Sequence, residues 1–101
     1  MKLFIVTCLK EYQEDMIKIF RQADISVFSA AEVVGFKDTQ TPDLLENWFA
    51  SGDEKFDSQM IFSFTLAQKA EHAMQLIKKY NEGNQTNFPV RAFIVPVENS
   101  I

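Results

Sequence analysis

Residues Leu3–Leu9 form a nearly unbroken apolar run rich in Ile, Val and Phe. Such a run suits a strand buried in the middle of a sheet. A central strand needs a hydrogen-bonding neighbour on each side, so the rest of the chain is read for those neighbours and for whatever covers them.

The pattern after that run is helical. Tyr12, Met16, Ile19, Phe20 and Ala23 recur at three- and four-residue steps, while Glu11, Gln13, Glu14, Lys18 and Arg21 take the other side. Ser26–Phe36 alternates as a strand, with Phe28, Ala30, Val34 and Phe36 sharing a face with Glu32. Gln59–Leu66 alternates more clearly, with Met60, Phe62, Phe64 and Leu66 on one side and Ile61, Ser63 and Thr65 on the other. Thr65-Leu66-Ala67-Gln68 reads as a capping box opening a second helix that turns Ala70, Ala73, Met74, Ile77 and Tyr80 inward. Gly83 supplies a left-handed stop, and Phe88–Val97 is a last strand whose two prolines point to an edge or bulge.

The order is β-α-β-β-α-β, an α+β chain of the ferredoxin-like kind. It implies a four-stranded antiparallel sheet, two helices on one face, and a long loop between strands 2 and 3. At 101 residues the chain is read as one domain, 1–101. It holds ten Phe against one Trp and two Tyr. Two helices cover one side of a sheet, and the Phe-rich strands carry more apolar side chains than one small core consumes. An uncovered apolar sheet face, and assembly of subunits sheet against sheet, is therefore expected.

The net charge is −4, and residues 37–57 carry all of it: six acids against two bases, with eight of each sign elsewhere. No basic face suits a phosphate backbone, so nucleic acid is not an expected partner. Cys8 stands alone, cannot close an internal disulfide, and reads as a small buried hydrophobe. No segment approaches the ~20 apolar residues that span a bilayer. The N-terminal run lacks a small-residue cleavage site, so the expected location is the cytoplasm.

Residues 37–58 occupy a place where a hairpin needs two to five. Within them Thr41-Pro42 is a helix start, and Leu44, Leu45, Trp48 and Phe49 fall on one side of a short helix ended by Ser51-Gly52. Two readings stay open: an acidic arm with an aromatic hook that docks a protein partner, or a helix folded back over its own or a neighbouring sheet.

The element order, a second strand ending Glu32-Val33-Val34-Gly35-Phe36-Lys37, and the long loop after it resemble PII-type signalling proteins, as does the strand Arg91-Ala92-Phe93-Ile94-Val95. The resemblance implies a homotrimer with inward-facing sheets and small-molecule effectors, nucleotides among them, in the clefts between subunits. It also implies a T-loop, here 37–58, that contacts a protein partner such as a membrane transporter. On this basis Gly35, Phe36, Lys37 and Arg91 are the effector-binding candidates, and Leu44, Leu45, Trp48 and Phe49 the partner-binding ones. Gly35 is equally explained by a strand-end turn, and Lys37 and Arg91 by solvated charges at strand ends.

The chain departs from the family pattern in several places. The stretch where the family has a Gly-rich phosphate loop is Glu82-Gly83-Asn84-Gln85-Thr86-Asn87, with one glycine. The loop 37–58 has no Tyr, the third-strand acid has no clear counterpart, and the chain ends at Ile101 without a basic tail. The standard mode of ATP binding is therefore not expected.

Two rival readings are a CutA-like trimer tied to divalent metals and a small ferredoxin-like enzyme such as a cofactor-free monooxygenase. For the first the sequence offers one His72 and the acids Asp53, Glu54 and Asp57, without the spacing of a calcium loop. For the second no nucleophile, acid–base or metal constellation stands out. The expectation is a regulatory protein without catalysis, cofactor or metal.

Overall fold

The computed structural model describes residues 1–36, 55–85 and 88–101, with the backbone alone at 35, 36, 55 and 56. Its elements are β1 (Lys2–Leu9), a 3-10 turn (Lys10–Tyr12), α1 (Gln13–Gln22), β2 (Ser29–Phe36), β3 (Lys55–Thr65), α2 (Ala67–Gly83) and β4 (Arg91–Pro96). The four strands form one antiparallel sheet in the order β2-β3-β1-β4. The fold class is the expected one, and the apolar run lies inside the sheet between β3 and β4.

Side-chain alternation sorts β1 onto two faces. Phe4, Val6 and Cys8 point at the helices and are buried with Met16, Ile19 and Phe20 of α1 and Ala70, Ala73 and Ile77 of α2. Phe20 is the hub, with its ring 5.6 Å from Phe4 and 5.1 Å from Phe28 between centroids. Cys8 belongs to this layer, and burial pushes its thiol from 9.0 up to about 11.

Several boundaries differ from the sequence reading, each for a local reason. β2 starts at Ser29 rather than Ser26, because the Val27 carbonyl accepts the Ser63 hydroxyl at 2.6 Å. β3 starts at Lys55 rather than Gln59, since backbone pairing from Phe36↔Lys55 to Val33↔Ser58 extends the hairpin through Lys55, Phe56, Asp57 and Ser58. Thr65 does not cap α2; it pairs with Lys2 in the sheet, and Leu66 takes the cap position with no side-chain bond. Gly83 closes the last turn of α2, and the stop falls on Asn84, whose backbone and side-chain N–H groups both donate to the Tyr80 carbonyl at 3.0 Å. Among the described non-glycine residues the left-handed one is Asp24, φ 61°, after α1.

Because Phe20 is fully buried against two rings, Phe20→Ala should cost about 3–5 kcal/mol in urea unfolding. Cys8 should resist alkylation at pH 8 in the folded protein and react fully in denaturant. A thiol raised by folding keeps its stabilising effect below its unfolded value. That contribution should fade as pH climbs from 9.0 towards 11.

Candidate functional site

The face of the sheet opposite the helices is apolar across three strands. The register brings Leu3 and Ile5 of β1 beside Phe64 and Phe62 of β3 on one side and Val95 and Phe93 of β4 on the other. Met60 continues the layer, opposite Thr7 and Ala31. Phe64 is 56% exposed and Val95 39%, whereas Phe4, Val6 and Ile61 on the helix face have no exposure at all. The uncovered face anticipated from the Phe content is present among the described residues.

Polar groups mark one end of the same sheet. Among the described residues, Ser58 Oγ, Gln59 Oε1 and Arg91 Nε are buried and have no hydrogen-bond partner. Ser58 lies opposite Leu9, Gln59 opposite Cys8 and Arg91 opposite Thr7, so all three sit where β1 ends and the connection between β2 and β3 departs. At the other end Ser63 is satisfied by Val27. Orphaned buried groups are rare in a finished structure and call for a physical reason.

The candidate effector residues fall on both sides of that end. Gly35 and Phe36 pair through the backbone with Phe56 and Lys55 on the β2 edge. Arg91 opens β4 on the opposite edge. Three interstrand steps of about 4.8 Å across and four residues of about 3.3 Å along separate Gly35 from Arg91 by roughly 20 Å. One protomer therefore does not bring them together. Lys37, Leu44, Leu45, Trp48 and Phe49 lie outside the described residues, as does the expected helix after Thr41-Pro42.

Three features here escaped the sequence reading. Lys10 pairs with Glu32, tying the turn after β1 to β2. Their hydrogen bond and mutual charge hold Lys10 above and Glu32 below their ordinary ranges. Asn81 of α2 uses both ends of its amide on Val90: Nδ2 donates to the Val90 carbonyl at 2.9 Å, and Oδ1 accepts the Val90 N–H at 3.0 Å. Lys78, one turn before Asn81, lines a cleft with Arg91 along β4. A polar residue inside the apolar stripe Met74, Ile77, Asn81 was the available signal for the Asn81 clamp.

His72 is exposed on α2, and among the described residues no three ligating side chains gather to hold a metal. No described helix is long and apolar enough to cross a membrane.

No protein-family model matches the chain, and no curated protein matches it in sequence. Solved structures do match, 121 chains in all. One, described as a PII-like signaling protein from Thermus thermophilus, superposes over 92% of this chain and 82% of its own with a TM-score of 0.63. The fold is the PII-like one. The two sequences are 9% identical, so the likeness carries the fold and assigns no role to any residue.

Asn81→Ala removes a donor and an acceptor at once and should cost about 1–3 kcal/mol. The Val90 amide should exchange faster with deuterium, while the amides of β1 keep their protection.

Proposed function

We propose that the chain is a non-catalytic, cytoplasmic signalling protein of the PII-like kind, a single domain 1–101 that works as a homotrimer. The observation that carries this reading is the apolar sheet face of Leu3, Ile5, Met60, Phe62, Phe64, Phe93 and Val95, joined to a fold of that type. Water is a poor neighbour for a patch of that composition, and a second sheet of the same kind is a good one.

The position of the effector candidates supports the same assembly. Gly35 and Phe36 belong to one edge of the sheet and Arg91 to the other, at the same end. A closed ring with heterologous contacts sets the β2 edge of one protomer towards the β4 edge of the next. In that ring the two halves of an effector site meet between subunits. The connection beginning at Lys37 leaves from the same place, so a small molecule bound there can bias its arrangement. Leu44, Leu45, Trp48 and Phe49 are then the surface offered to a protein partner such as a membrane transporter.

Sedimentation at micromolar concentration should give a particle of about 35 kDa, three times the 11.6 kDa chain. Phe64→Asp, already exposed in the protomer, should yield a folded monomer; a monomeric native protein would remove the basis of the proposal. Adenine nucleotides titrated against Trp48 fluorescence test the effector: a saturable change lost in Lys37→Ala identifies a nucleotide, and silence with ATP, ADP and AMP points to an effector of another class. Trp48→Ala should abolish partner capture and leave the trimer mass unchanged.

A further inference from the structure

We infer that the open sheet face is complementary to itself from one margin to the other. Val95, at the β4 margin of one copy, seats in the hollow that Val27, Phe64 and Leu66 border at the β2 margin of the next. The inference rests on the homotrimer reading and deepens it by naming the contact that closes the ring.

Both halves of the contact come from one row of side chains. The register sets Val95 beside Leu3 and Leu3 beside Phe64. Val27, two residues before the Ser29↔Phe62 pair, continues that row past β3. Its neighbour Phe28 packs on Phe20 in the helix layer, which directs Val27 the other way. Leu66 stands two residues after Phe64 in extended backbone and so shares its face. The row therefore lies opposite the helices, with Val95 at one margin and Val27 at the other.

Exposure is concentrated at this row. Val27 is 81% exposed and Leu66 61%, and Phe64 and Val95 are exposed with them. Further along the same face Ile5, Met60, Phe62 and Phe93 are half-buried, and Thr7 and Ser58 are buried. Val27, Phe64 and Leu66 border a hollow of about 280 Å3, with room for a branched aliphatic side chain. The charges at its rim, Lys69 and Asp24, are paired with each other at 3.4 Å, and the Ser63 hydroxyl is taken by the Val27 carbonyl. What the hollow lacks is an uncharged, apolar filler.

Val95 is such a filler, presented on the same face and at the same end of the sheet. A patch and its complement on opposite margins of one chain make a heterologous contact, the kind that repeats around a closed ring. Two hollows set face to face would leave both unfilled. The connection after Phe36 departs from the other end of the sheet, so this contact holds the copies together away from it.

Paired cysteines test the contact on the full chain. In the Val27→Cys/Val95→Cys protein a short bismaleimide should give a covalent trimer on a denaturing gel. Val27→Cys alone and Val95→Cys alone should stay uncrosslinked, and the two co-expressed should give covalent dimers. The native protein, whose Cys8 is buried, is the blank. Charge gives a second reading: Val27→Asp and Val95→Lys should each weaken assembly about tenfold or more in sedimentation, and the double variant should recover most of the loss. A sedimenting trimer whose double-cysteine variant stays uncrosslinked rejects this contact and keeps the trimer. Cross-linking of either single variant reveals a symmetric contact and overturns the inference. A monomeric native protein overturns both readings together.

Discussion

The rest of this structure depends on the double commitment of β1. Its backbone is hydrogen-bonded on both sides, to β3 and to β4, and its side chains are apolar in both directions. Towards the helices, Phe4, Val6 and Cys8 meet Phe20 and Met16 in a closed layer. Towards the other face, Leu3 and Ile5 meet phenylalanines of both neighbours with nothing from the described chain above them. A strand with one polar face would have made a self-sufficient two-layer domain. This one satisfies its hydrogen bonds internally and leaves its second apolar face without a covering layer among the described residues.

That asymmetry explains how much of the chain could be read in advance. β1 and the centre of β3 were legible because burial selects the residues there: Phe4, Val6 and Ile61 have no alternative to a water-free layer. The boundaries that misled are those set by local hydrogen bonds rather than by hydrophobic pattern. Ser63 takes the Val27 carbonyl and delays β2; Asn81 takes both groups of Val90 and delays β4; Asn84 ends α2 through Tyr80 without help from Gly83. Lys55, Asp57 and Ser58 extend β3 through backbone pairing that no hydrophobic pattern announces. The candidate site was legible in part for the same reason. Gly35 and Arg91 could be picked out as residue types at strand ends, but their placement on opposite edges follows from the strand order, which periodicity alone does not fix.

The electrostatics divide in a similar way. The net charge of −4 is carried wholly by residues 37–57, so the remaining scaffold is neutral. On that neutral scaffold, local sign matters more than the total: the β2 side has Lys10 bonded to Glu32, whereas the β4 side carries Arg91 and Lys78 with no acid in their cleft. The two edges of one sheet therefore differ in local charge.

The Asn81 clamp also bears on solubility. A free edge strand is a template for any extended chain that passes, and apolar edges invite uncontrolled growth of the sheet. On β4 the groups of Val90 are already taken by a side-chain amide, and the strand's last residue, Pro96, has no N–H to give. The docking length is cut short at both ends. The length of margin that this edge leaves open to foreign strands is correspondingly short.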